Sequence, residues 1–199
     1  MSIFKVPEKT NIEVTAQRTD IAHFMDVTDV DGVTPEAEGD TVWRQLGAGW
    51  TTMTESPSAQ TKERKFINEK SKRKNITSYS PSFAFEDLLM FKDPATRKVY
   101  DIYTKRKTGT AAVVNMVTVD KFEEAVNGAY PARKGRYAVE VSSCDDDDDM
   151  IIKGNFNGQG DEIFGYFDPV KGVWTDTAPA AEATPTTENT PTAEPELTE

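Results

Sequence analysis

About seven short strand-like runs surround a single amphipathic helix between residues 40 and 175, and that ratio leaves few folds open. Residues 40–55 carry Val42, Trp43 and Leu46, then Trp50 and Met53, with Gly47 and Gly49 between them. This spacing predicts two half-strands joined at a bulge or bend. Residues 76–89 alternate Tyr79, Phe83 and Phe85 with small polar residues, and Pro81 implies an edge or a bulge there. Residues 110–119 are β-branched and apolar enough for a central strand. Residues 136–141, 150–156 and 162–168 predict three more strands. The last two are joined by NGQGD, residues that tolerate positive φ and suit a hairpin or a wide turn. For the helix, Asp93 is the expected cap and Pro94 suits the first position. Val99, Ile102 and Tyr103 fall on one face, and Lys105, Arg106 and Lys107 precede Gly109 at the C-terminal end. One helix must lay its apolar face on a sheet. The expected fold is mainly β, an antiparallel β-sandwich or half-barrel with one flanking α-helix.

The segment that fits no such element is residues 54–75, TESPSAQTKERKFINEKSKRKN. Lys62, Arg64, Lys65, Lys70, Lys72, Arg73 and Lys74 stand against Glu63 and Glu69, a net charge of +5 over residues 62–74. A structureless connection of about 20 residues is uncommon inside a compact domain and usually has a function. Phe66 and Ile67 are too few to build a core. The segment is therefore read as an arm spanning residues 55–75, whose packing partner and counter-charges lie outside its own domain. Gln60, Lys62, Arg64, Lys65, Phe66, Lys70, Lys72, Arg73 and Lys74 are its candidate contact residues, and Val99, Ile102 and Tyr103 are the helix core face.

The formal charge of −11 is unevenly placed: residues 145–149 contribute −5 and residues 176–199 contribute −6, so the rest is neutral. From Asp176 onward the chain is rich in Pro, Thr and Ala with acidic residues and no aromatic. Such a segment cannot bury enough apolar surface to offset chain entropy and reads as a disordered tail. The expected organisation is an extension with a first strand over 1–39, the β domain over 40–175 and the acidic tail over 176–199.

Signs of chemistry are sparse. The lone cysteine, Cys144, excludes an internal disulfide, and no Cys/His cluster suggests zinc. The five aspartates lack the alternate ligand spacing of a calcium loop, and no phosphate-binding glycine motif occurs. His23, the only histidine, stands in no nucleophile or dyad context and is expected in a strand near the N-terminus. No catalytic residue, cofactor or metal is assigned, and the chain is not expected to be an enzyme. One aromatic among seven cations makes the arm a poor platform for stacking nucleic-acid bases. A surface- or sugar-binding β-sandwich is the alternative, and it would need Trp43, Trp50 and Trp174 clustered in solvent. The N-terminus has no apolar signal region and no run is long enough to span a bilayer, so synthesis and folding are expected in a reducing cytoplasm.

Six stretches in order carry a resemblance: 18–26 (RTDIAHFMD), 43–70, 77–86 (TSYSPSFAFE), the helix at 93–107, 130–141 (YPARKGRYAVEV) and 154–168 (GNFNGQGDEIFGYFD). Together they resemble the major tail protein, or tail tube protein, of long-tailed bacteriophages, over roughly residues 18–174. The resemblance implies a tail-tube fold assembling into a hexameric ring barrel. Its rings would stack into a virion tail through which double-stranded DNA passes without sequence recognition. It also implies tape measure, tail terminator and baseplate proteins as partners, and assembly in a host bacterial cytoplasm. Residues 26–40, the aspartate run and the acidic tail have no counterpart in it.

Overall fold

The computed structural model describes residues 17–35, 40–146 and 149–179. The expected disordered tail lies mostly outside them, as does most of the N-terminal extension. The chain is mainly β, an antiparallel half-barrel sheet with one α-helix. The strands are β1 (Ile21–Asp26), β2 (Trp43–Gln45), β3 (Trp50–Ser56), β4 (Ala59–Arg64), β5 (Arg73–Tyr79), β6 (Ser82–Leu88), β7 (Val113–Asp120), β8 (Tyr130–Asp146), β9 (Met150–Gly158), β10 (Ile163–Asp168) and β11 (Val173–Thr175). The helix α1 (Pro94–Thr104) lies between β6 and β7.

Nine strands form one sheet in the order β2-β1-β7-β8-β9-β6-β3, and β10 and β11 branch from β8. Every pairing is antiparallel. Its two end strands, β2 and β3, are consecutive in the chain, so the sheet must curl back on itself. Leu46 N donating to His23 O at 2.8 Å continues the β1–β2 pairing past Gln45, and Arg18 Nη2, just before β1, donates to Trp50 O of β3 at 3.4 Å. β8 is long enough to serve two neighbours on one edge: residues 130–134 pair with β10, and residues 137–146 pair with β9.

Period-two alternation sorts side chains onto two faces. On β7, Val114 and Met116 enter the larger core with Met25, Trp50, Phe83, Phe85, Phe156 and the helix, while Val117 and Val119 enter a smaller one with Ala22, Phe24, Ala132 and Phe167. This is why β7 reads as a central strand: it is buried on both sides. In the larger core the Phe85 and Phe156 rings stack with centroids 4.5 Å apart, an offset geometry worth about 1 kcal/mol beyond area burial.

The helix ends differ from expectation in detail. Asp93 occupies the cap position, but its carboxylate makes no bond to the helix N–H groups. It accepts from Arg44 Nε at 2.8 Å instead. At the C-terminal end Arg106 takes φ of 50°, with its N–H bonded to Tyr103 O and that of Lys107 bonded to Ile102 O. That is a Schellman closure using arginine in the left-handed position. Gly109, expected to end the helix, instead opens a 3-10 turn, Gly109–Ala112, that takes the first residues of the anticipated 110–119 strand. The wide turn is residues 159–162, since residues 157 and 158 still belong to β9; β9 and β10 are not paired, and the chain crosses to a different part of β8.

Candidate interface: a basic ribbon outside the core

The arm is not structureless. β4 and β5 pair antiparallel from Ala59↔Tyr79 to Arg64↔Arg73, with a bulge between Gln60 and Thr61. They form a two-stranded sheet separate from the main one. The strand anticipated over 76–89 is consequently two: Ile76 and Tyr79 belong to the ribbon and are exposed, whereas Phe83 and Phe85, past Pro81, are buried. Periodicity could not reveal this. Every residue of β4 and β5 is exposed, so neither shows the half-apolar alternation of a strand lying on a core. The available signal was Thr61, Ile76 and Thr77, β-branched residues flanking the charge run.

The root of the ribbon is fixed and its tip is not. At the root, Ser80 N donates to Pro57 O at 3.2 Å and Gly158 N donates to Pro81 O at 2.9 Å. The approach at Gly158 is so close that a Cβ there would stand 2.7 Å from Pro81 O. Beside the root, Glu55 on β3 accepts a bidentate pair from Arg133 on β8, at 2.8 and 3.0 Å. Those bonds hold the Glu55 carboxyl below its ordinary range. Arg133 also faces Glu162 at 3.7 Å, and Glu162 accepts the hydroxyl of Tyr137, whose ionisation burial and that bond both oppose. β3, β8 and the residue just before β10 thus converge under the point where the ribbon leaves.

Beyond the root the stabilising contacts are thin. Lys72 Nζ lies 3.5 Å from Glu63, Arg73 pairs with Glu69, and the Arg73 guanidinium lies 5.6 Å from the Phe66 ring centroid. Exposed ion pairs of this kind contribute about 0–1 kcal/mol each. Phe66 is half exposed and Ile67 fully so. Gln60, Lys62, Arg64 and Lys65 project from or beyond β4, and Lys70, Lys72, Arg73 and Lys74 lead into and along β5, so the structure brings the candidate contact residues together on one projection. The helix face named from the sequence lies elsewhere: Val99 and Ile102 are buried in the larger core, and Tyr103 is partly buried against it with Arg106 over its ring at 4.6 Å.

Other polar groups look structural. His23 sits on β1 with Nδ1 3.1 Å from Thr118 Oγ1, and burial lowers its pKa to about 4, leaving it neutral near pH 7. Trp50 is in the core. Trp43 and Trp174 are half buried and share the Lys134 ammonium, 5.8 and 5.7 Å from their centroids. The three tryptophans therefore make no common exposed platform. Among the described residues no group of three or more His, Cys, Asp or Glu is placed to hold a metal ion, and no helix is long and apolar enough to cross a membrane.

No protein-family model and no curated protein matches the chain. Among solved structures it is similar to a chain in the sixfold-symmetrised structure of the anti-feeding prophage baseplate, at 9% sequence identity and a TM-score of 0.42, over 76% of this chain and 95% of that one. At that score the likeness is general, and nothing further rests on it.

Proposed function

We propose that this chain is a structural subunit of a phage tail tube: six copies close into a ring, rings stack, and double-stranded DNA passes through the lumen. The reading is of a structural protein, not an enzyme. It places the finished subunit in the virion tail, with tape measure, terminator and baseplate proteins as neighbours.

The observation that carries it is the ribbon. An isolated two-stranded hairpin is marginal at best in water and needs a third strand or a packing surface. This one extends from a well-anchored root with its apolar tip in solvent and cations along both strands. Contact with another copy would supply the missing surface. The six ordered motifs that resemble tail tube proteins support the same reading, as do the free sheet edges, which a ring of heterologous contacts would cover. The lumen requires no sequence recognition, consistent with a ribbon poor in aromatic stacking groups.

The test is sedimentation velocity over a concentration series, comparing the full chain with a variant whose residues 57–80 are replaced by a short Gly-Ser turn. The full chain is expected to populate species of six copies and larger, and the variant to stay monomeric with an unchanged thermal melt. A full chain that remains monomeric at every concentration would refute the proposal.

A further inference from the structure

Trp43 of β2 and Trp174 of β11 line one cleft, although 130 residues separate them in the chain. The cleft measures about 710 Å³, within the range of about 300–1,000 Å³ usual for small-molecule sites. Phe24 of β1, Lys134 of β8 and the turn between β10 and β11 complete its lining. Each part is held in place. Trp43 meets the buried Phe167 ring edge-on at 5.8 Å, and Trp174 Nε1 donates to Asp176 Oδ1 at 2.8 Å. In the turn, Asp168 Oδ1 accepts from Val170 N at 2.9 Å and Lys171 N at 3.0 Å, and Gly172 N donates to Asp168 O at 2.8 Å. The walls are therefore formed before any ligand arrives.

We propose that this cleft binds an uncharged sugar residue, stacked on the indoles of Trp43 and Trp174 and hydrogen-bonded by Lys134. The site is separate from self-assembly, since it shares no residue with the ribbon, and Trp50 takes no part in it. A sugar ring has an apolar C–H face that suits the electron-rich face of an indole, and a rim of hydroxyls that both donate and accept. Both indoles are half-buried and keep ring surface in the cleft. The polar lining supplies both kinds of partner: Lys134 and Lys171 donate, the Asp40 carboxylate accepts and the Thr41 hydroxyl does either. Among the described residues the Lys134 ammonium meets only the two rings, so its N–H donors remain for a ligand oxygen. Charge decides against other ligands. Lys134 and Lys171 are matched by Asp40 and Asp168, with Asp176 beside Trp174, so no excess positive charge draws an anion. The place a ligand cation would take on the two rings is already filled by Lys134. A wholly apolar ligand would bury these polar groups without partners.

The experiment screens the purified full chain on an array of neutral and acidic glycans, then follows the glycan bound most strongly by saturation-transfer NMR and by tryptophan emission. Saturable binding of a neutral glycan is expected, with transfer into the C–H protons of one ring face. Lys134→Met keeps a side chain between the indoles and removes the donors, while Trp174→Ala removes one stacking surface. Each should weaken binding by about tenfold or more, as the loss of a hydrogen bond from a charged donor does. Replacing Lys70, Lys72, Arg73 and Lys74 by Ser should leave binding at the parental level. Thermal melts establish that the variants fold, and if Trp174→Ala does not, Lys134→Met decides. Absence of neutral-glycan binding, a preference for acidic glycans, or parental affinity in Lys134→Met overturns the site and leaves the tube proposal standing.

Discussion

Asp87 offers a test of how the helix is seated. Its side chain is fully buried near the end of β6, where Oδ2 accepts from Thr96 Oγ1 at 2.7 Å and Oδ1 has no hydrogen-bond partner. Thr96 also leans toward Asp93, 3.4 Å away, so one hydroxyl serves two carboxylates. Burial, opposed by the Thr96 hydrogen bond and reinforced by the Asp93 charge, pushes the Asp87 pKa from 3.8 up to about 6. The folded protein therefore holds this proton more tightly than the unfolded chain does. The favourable contribution is complete below about pH 4 and is lost as pH rises through about 6. A shift of about two pH units corresponds to about 3 kcal/mol, since one unit is about 1.4 kcal/mol. Asp87→Asn keeps the acceptor for Thr96 and removes the ionisation. Urea denaturation of parent and variant across this range is the assay. The variant should match the parent at about pH 4 and exceed it by up to about 3 kcal/mol at about pH 8, with the change spread between about pH 4 and about pH 6 and level above that. A stability difference constant with pH would refute the reasoning, because it would mean that the carboxylate is not held in a desolvated site.

Three further outcomes are expected. Replacing Lys70, Lys72, Arg73 and Lys74 by Ser should change the melting free energy by less than about 1 kcal/mol, because the pairs lost are exposed, while suppressing assembly. Raising salt should mimic that loss, since the screening length is already about 8 Å at physiological ionic strength and shortens further; a large loss of subunit stability would count against the separation of ribbon from core. Ile102→Ala should cost about 2–5 kcal/mol in a chemical melt, as large-to-small core changes do, whereas Lys105→Ser, losing an exposed pair with Asp101, should be nearly neutral. Truncation after Pro179 should leave assembly intact, because residues 180–199 offer Leu197 as their one large apolar residue and burying their carboxylates without partners is costly; loss of assembly on truncation would make the tail an interface element.

The elements legible in the sequence are those whose neighbours lie within the same chain. β7 announced its central position through a run of apolar and β-branched residues interrupted by Asn115, and α1 through Pro94 and the spacing of Val99 and Ile102. The ribbon was legible as a charged exception, but not as two strands, because no core imposes alternation on it. β11, three residues long, carried too little pattern to register, and the branching of β10 from β8 depends on pairings between distant segments. Gly109 marks the C-terminal end of α1 in the sequence, yet Arg106 takes the left-handed conformation that closes the helix, with two backbone hydrogen bonds around it. The candidate contact residues of the ribbon are named mostly by charge, and the structure gathers them on one projection.

The central claim is that copies of this chain assemble through the ribbon into stacked rings. Negative-stain electron microscopy of the purified full chain, at low salt and after concentration, examines it most directly. Sixfold rings or tubes, absent from the Lys70, Lys72, Arg73 and Lys74 to Ser variant under the same conditions, are the predicted result. Dispersed single particles from the full chain, or tubes of equal length from the variant, would contradict it.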